Sequence, residues 1–127
     1  FRRNRDIEAL GNIGKEDVRT LLFNSDCLVL ASRSEAQSLS LLEAMSTGLP
    51  VVTTEALPQN LRIAGGCRVV PIDDAVALAD KMKEVMEDTT FDGLSLSRQI
   101  HELASSEVVG KQLERLFLEV KNDFSNR

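Results

Sequence analysis

Cysteine and histidine are scarce in this chain: Cys27, Cys67 and His101 are the whole complement. Two cysteines make neither a disulfide framework nor a metal centre, so stapled scaffolds and zinc modules are excluded as classes. Cys27 sits in the apolar run DCLVLAS and reads as a small buried hydrophobe. The same scarcity favours a reducing compartment, and a cytoplasmic location is expected. Long hydrophobic runs are missing too; nothing approaches the roughly 20 apolar residues of a membrane helix, and no signal-peptide pattern is seen. Nor is there an excess of positive charge. Lys plus Arg is 15 against 20 for Asp plus Glu, a net charge of -5, which argues against nucleic acid as a partner. The one basic run, Arg2, Arg3 and Arg5, reads as a solvated terminus. Internal repeats and low-complexity linkers are absent.

What is present is a single core's worth of chain, 127 residues, in which short apolar runs alternate with helical periodicity. Because it begins with Phe1 and not Met, it is read as a piece of a longer polypeptide. Ile7 to Leu10 is a candidate strand closed by the turn-prone Gly11-Asn12. Glu16 to Asn24 reads as a helix with Val18, Leu21 and Leu22 on one face. Cys27 to Ala31 is the near-continuous apolar run of a strand covered on both faces. Leu39 to Thr47 is a helix, stopped by Gly48 at its end and by Pro50 beyond. Val51 to Thr53 and Cys67 to Pro71 are further strands. Asp73 or Asp74 caps a helix from Ala75 to Glu87, whose buried stripe is read as Val76, Ala79, Met82, Val85 and Met86. Met45, Met82 and Met86 are read as core. A last helix from about Glu107 to Phe124 carries an apolar face of Val109, Leu113, Leu116, Phe117, Val120 and Phe124. That face is expected to pack on the sheet or on another domain, since Glu114, Glu119 and Lys121 on the polar side do not suit a membrane surface. Strands alternating with helices predict an α/β fold, a Rossmann-like parallel sheet flanked by helices.

The stretch SRSEAQSLSLLEAMSTGLPVV carries the chemistry. In parallel sheets ligands bind beyond the carboxyl ends of the strands. The strand Cys27 to Ala31 runs directly into Ser32-Arg33-Ser34-Glu35, which puts Glu35 on the loop above the sheet edge. The following helix begins near Ser38 or Leu39, and its free N–H groups suit a phosphate. Leu41, Leu42 and Met45 form the inward side of that helix, while Ser40, Glu43 and Thr47 share another. Leu39 to Glu43 is about 6 Å of rise, so Glu43 flanks the same crevice one turn deeper. A carboxylate there accepts two ribose hydroxyls, and Glu35 does the same for a sugar hydroxyl beyond the phosphates. Two other readings stay open on spacing alone. Both glutamates are then ordinary solvated residues, or they form the acid and nucleophile of a glycosidase. His101 lies in SRQIHELASS, a polar stretch of helical character. With no Ser or Cys motif beside it, a surface or packing role is expected. Asp73 and Asp74 read as helix caps, with a metal role as the alternative.

SRSEAQSLSLLEAMSTGLPVVTT resembles the signature of the retaining nucleotide-sugar glycosyltransferases of group 1, or family 4. The segments IEALGNIG, LLFNSDCLVLASRSE, LLEAMSTGLPVV and VVPIDDAVALADKM follow that family's order, so the resemblance runs from about Ile7 to Phe124. It implies the two-Rossmann-domain (GT-B) architecture, with this chain, residues 1–127, as one partial domain: the second half of the C-terminal, donor-binding domain. Glu35 matches the glutamate that contacts the transferred sugar and is the catalytic candidate. Glu43 matches the one that holds the ribose. Ser38, Leu39 and Ser40 match the helix start that meets phosphate or sugar, and Gly11, Asn12 and Ile13 match the loop beside the base. The implied reaction is transfer of a sugar, with retention, from a nucleotide-diphosphate sugar to a glycan or lipid acceptor held by an N-terminal domain. The donor is a substrate, so no cofactor and no metal are expected. Peripheral membrane association of the full-length protein and self-association of the fragment are compatible with it. Alternatives are a catalytically degenerate binding subunit and a nucleotide-sugar epimerase of the same fold.

The chain departs from the family pattern in two places. Ala36, Gln37 and Ser38 replace the usual Gly-Phe-Gly after the first glutamate. Ala36 lacks glycine's freedom at positive φ, so a reshaped donor loop or an altered donor choice is expected. The family's Gly-Gly pair directly after the next strand, and its Pro-Glu, are also not found: EALPQNLRIAGG has Pro58 but reaches Gly65-Gly66 only at its end. The strands and basic pair that open the family's C-terminal domain are expected to be missing from this fragment. In the usual strand order those strands lie between the Ile7 and Cys27 strands, so a free sheet edge is expected there.

Overall fold

The computed structural model describes residues 7–63 and 65–125, with side chains up to residue 118. Arg2, Arg3 and Arg5, and the side chains of Glu119, Val120, Lys121 and Phe124, lie outside that description. The elements run α1 (Lys15–Phe23), β1 (Leu28–Leu30), α2 (Leu39–Ser46), β2 (Val51–Thr54), a short 3-10 turn (Gln59–Leu61), β3 (Cys67–Val70), α3 (Ala75–Glu87), α4 (Gly93–Ala104) and α5 (Ser106–Ser125). Three strands form one parallel sheet in the order β1-β2-β3, with Val29 opposite Val52 and Val52 opposite Arg68. This is the small α/β layer structure that the alternating pattern predicts.

β2 is the centre of the molecule. All four of its residues are buried, including Thr53 and Thr54. A buried hydroxyl needs a partner; one finds it on β1 and the other just beyond that strand's end. Thr53 Oγ1 donates to the Leu30 carbonyl at 3.2 Å, and Thr54 Oγ1 donates to the Ser32 carbonyl. The β-branched residues therefore satisfy the strand's packing and also bolt its carboxyl end to its neighbour.

α2 packs against this sheet through Leu41, Ala44 and Met45, all fully buried. Its start is fixed by Ser38, whose side-chain oxygen accepts the Leu41 N–H at 3.4 Å. Its end is fixed by Gly48 at φ +83°, whose N–H reaches the Met45 carbonyl at 2.9 Å. A Cβ at Gly48 would lie 2.6 Å from the Gly93 carbonyl oxygen, so glycine is required here for both conformation and space. That close approach seats α4 on α2. α4 is capped by Asp92, whose Oδ1 accepts the Ser95 N–H at 2.9 Å, and it buries Leu96 and Ile100 beside Leu41 and Met45. Ser97 Oγ adds a bond to the Ser46 carbonyl at 2.6 Å.

Several sequence-based expectations change. Ile7 to Leu10 is not a strand; these residues are irregular, and Ile7 is 74% exposed. A strand needs a hydrogen-bonding neighbour, and β1 is the sheet edge among the described residues. On α3 the inward line is Leu78, Met82 and Val85, while Val76, Ala79 and Met86 are exposed. The helix lies on β2 and β3 along one narrow line, so a shift of one position moves half the stripe to solvent. Met86 is therefore surface, not core. α4 begins at Gly93, ahead of the stretch in which helical character was read. Cys27 is half-buried, and burial pushes its thiol up, with Asp26 adding to the rise. α5 forms over the expected residues; Val109, Leu113, Leu116 and Phe117 are exposed and do not pack on the sheet, the first of the two surfaces expected to cover that face.

Candidate functional site

The chain turns sharply before α1. Gly11 takes φ +65°, a left-handed conformation that favours glycine, and Gly14 occupies the N-cap position. Between them Ile13 is half-buried. α1 follows with no fully buried residue, and only Val18 and Leu22 are partly covered. Together with α2 it encloses a cavity of about 480 Å³. Lys15, Val18, Arg19, Leu22 and Phe23 form the α1 wall, Glu43, Ser46 and Thr47 the α2 wall, and Ile13 and His101 the two remaining sides. A volume in this range holds a nucleoside-sized ligand.

The polar groups on the α2 wall are not equivalent. Ser46 Oγ donates to the Glu43 carbonyl at 2.7 Å, and Thr47 Oγ1 to the Ala44 carbonyl at 2.7 Å. Their hydroxyl protons are already engaged by the helix backbone. The Glu43 side chain is exposed and, among the described residues, has no hydrogen-bond or ion-pair partner. It is the free carboxylate acceptor of the cavity. Across from it the cationic groups Lys15 and Arg19 stand on one face of α1, one turn apart, and the Arg19 guanidinium lies 5.8 Å from the centroid of the Phe23 ring.

Glu35 sits elsewhere, on the loop between β1 and α2. It is half-buried and its Oε1 accepts the Ser32 hydroxyl at 2.5 Å. Leu39 and Ser40, in the first turn of α2, are exposed, and their N–H groups have no acceptor within the helix. Ser38 is buried and its oxygen is engaged as the helix cap. Gly11 and Asn12 are exposed beside Ile13. The fold thus brings Ile13 and Glu43 onto one cavity, while Glu35, Ser38, Leu39 and Ser40 lie around the start of α2.

The loop substitutions that the sequence made conspicuous place no residue at positive φ. Among the described residues the single non-glycine at positive φ is Asp73, at 62°. Ala36 and Gln37 are therefore outside the left-handed region, and Ser38 takes the extended φ of an N-cap, -109°. Asp73 is not a cap; its Oδ1 accepts Arg33 Nε at 2.8 Å and bridges the loops after β1 and β3. Asp74 is the cap of α3, accepting the Ala77 N–H at 2.9 Å. Among the described residues no group of three or more His, Cys, Asp or Glu is arranged to hold a metal ion, and no helix is long and apolar enough to cross a membrane.

Sequence reasoning did not find Lys15, Arg19 or a cavity position for His101. The Lys15/Arg19 spacing of four was visible, but only the approach of α1 to α2 and α4 gives it meaning.

A parallel sheet with polar loops at its carboxyl edge, and an open cavity beside a capped helix, defines a Rossmann-like ligand-binding unit. Sequence comparison makes the class specific. Residues 2–88 match the family model for Glycosyl transferases group 1, and the chain belongs to that family. One similar curated protein is N-acetyl-alpha-D-glucosaminyl L-malate synthase of Bacillus anthracis, 28% identical over 120 residues. The match covers 90% of this chain and 32% of that protein, so the chain spans about a third of its relative's length.

Proposed function

We propose that the protein containing this chain is a retaining glycosyltransferase that moves a sugar from a nucleotide-diphosphate donor to a glycan, lipid or other acceptor. Residues 1–127 supply half of its donor-binding domain. The observation that carries this reading is the meeting of Ile13 and Glu43 on one cavity. In this reading Ile13, with Gly11 and Asn12, lies against the base, and Glu43 accepts the two ribose hydroxyls. The diphosphate runs toward the start of α2, where the N–H groups of Leu39 and Ser40 face negative charge. Glu35 contacts the transferred sugar. The protein's contribution to rate is positioning and electrostatic support of the departing diphosphate.

The nucleotide sugar is consumed as a substrate, and the reading requires neither a cofactor nor a metal. A cytoplasmic site of action belongs to the same proposal, supported by the scarcity of cysteine. The similar protein's name makes an N-acetylglucosaminyl donor the first to try. The acceptor side requires chain outside these residues.

Ligand-observed NMR on the full-length protein, with UDP-, GDP- and ADP-sugars in turn, tests the proposal. One sugar nucleotide is expected to bind, with at least about a tenfold loss in Glu43→Ala, the size of a charged hydrogen-bond pair removed. Silence from all three in a folded protein contradicts the reading and favours a degenerate, transferase-like binding subunit.

A further inference from the structure

We propose that Ser32 is a positioning residue for Glu35: its hydroxyl holds one carboxylate oxygen so that the other faces the transferred sugar. This rests on the role given to Glu35 above. Ser32 stands two residues beyond the end of β1, where the chain leaves the sheet. Its carbonyl accepts the Thr54 hydroxyl and its own hydroxyl donates to Glu35 Oε1 at 2.5 Å. Thr54 is buried at the carboxyl end of β2, and Thr53 ties the same strand to Leu30. A continuous path of bonds therefore runs from the central strand through Ser32 to the carboxylate. Glu35 is otherwise held only by a loop, with exposed Ser34 and Ala36 on either side. Its second oxygen, Oε2, has no partner among the described residues, while Oε1 is engaged.

A short O–H···O⁻ bond to a carboxylate is stronger than a neutral one, and it selects one rotamer from several. A glutamate in a loop has three rotatable side-chain bonds to restrict. Fixing one of its oxygens from a strand end removes that freedom before donor arrives, which is what a group acting at the transferred sugar requires.

The test is kinetic, on the full-length protein, reading nucleoside diphosphate release as the sugar of UDP-N-acetylglucosamine, GDP-mannose or ADP-glucose passes to water. Ser32→Ala is expected to lower kcat/KM about tenfold, since one charge-assisted bond is lost. Affinity for the matching nucleoside diphosphate alone should stay within about twofold, because that ligand does not reach Glu35. Ser32→Thr keeps a hydroxyl and should restore most of the rate. The double variant Ser32→Ala/Glu35→Ala should be no slower than Glu35→Ala alone, a non-additivity that a purely structural role would not produce. Full activity in Ser32→Ala, with Glu35→Ala crippled, overturns the positioning role. So does a double variant slower than Glu35→Ala by the full Ser32 effect. Full activity in Glu35→Ala, or release from none of the three donors, overturns the reading of Glu35 itself and the proposal with it.

Discussion

α2 and α5 present the same kind of sequence signal and meet opposite fates. Both carry apolar residues at three- and four-residue spacing. On α2 that face is sealed: Leu41, Ala44 and Met45 have no exposed surface. On α5 it is open, and Leu113, Leu116 and Phe117 are 48, 53 and 69% exposed. Periodicity states which face of a helix would gain from burial. It does not say whether this stretch of chain supplies the cover. α2 has β1, β2 and α4 around it, whereas α5 touches α4 along part of one side. The site follows the same division. Its fixed wall, with Glu43, rides on the sealed helix. Its other wall is α1, which has no fully buried residue.

The comparison is sharpest in the core. Leu41→Ala should cost about 3 kcal/mol, the usual range for a large aliphatic removed from a closed site. Phe117→Ala on α5 should change stability by no more than about 0.5 kcal/mol, as for other exposed positions. Chemical denaturation of the two variants measures the contrast. A loss at Phe117 equal to that at Leu41 would mean that the α5 face is covered in solution.

The junction of α2 and α4 comes next. Gly48→Ala places a Cβ 2.6 Å from the Gly93 carbonyl and forces a non-glycine residue to φ +83°. A loss of about 2 kcal/mol is expected from strain and displacement together. Gly110→Ala, on α5, has open space around the new Cβ and should raise stability by about 0.5 to 1 kcal/mol through helix propensity. Opposite signs at two glycines would express the difference between the sealed and open helices; equal losses would erase it.

A smaller effect lies at the start of α2. Ser38→Ala removes the acceptor for the Leu41 N–H and should cost about 1 kcal/mol. Thermal unfolding would register this as a drop of a few degrees, and an unchanged midpoint would show that the cap adds nothing.

The smallest effect is electrostatic and lies at the end of α3. Hydrogen bonds from Thr90, first its side chain and then its backbone, hold the Asp88 carboxyl below its usual range, with Arg68 adding to the fall. A lowered folded-state value means that stability is gained above the unfolded value and lost as pH falls through the folded one. The contribution is therefore complete at neutral pH and fades below about pH 4. Asp88→Asn should flatten the acid limb of the stability profile while leaving the region above pH 5 the same shape.

How much could be read in advance depended on how local the cause was. α2 was legible because its signals sit within a few residues: Ser38 caps it, Gly48 ends it, Pro50 follows. The alternation of strands and helices gave the sheet for the same reason. Ile7 to Leu10 read as a strand from composition, but a strand exists only through its neighbour, and among the described residues none pairs with it. The stripe of α3 was misplaced because Val76 and Leu78 are equally apolar, and only contact with β2 and β3 chooses Leu78. In the site, the off-core position of Glu43 followed from helical spacing. The cavity did not, since Lys15, Arg19, Glu43 and His101 are brought together from three helices far apart in sequence.

The central claim is that Glu43 holds the ribose of a nucleotide in the cavity beside Ile13. The most direct measurement is calorimetric titration of the full-length protein and of Glu43→Ala with the matching nucleoside diphosphate and its 2′-deoxy analogue. The account predicts that the deoxy analogue binds the native protein about tenfold more weakly, one hydrogen bond to a charged group. It also predicts that the two ligands bind Glu43→Ala with the same affinity. An undiminished preference for the ribonucleotide in Glu43→Ala would contradict it.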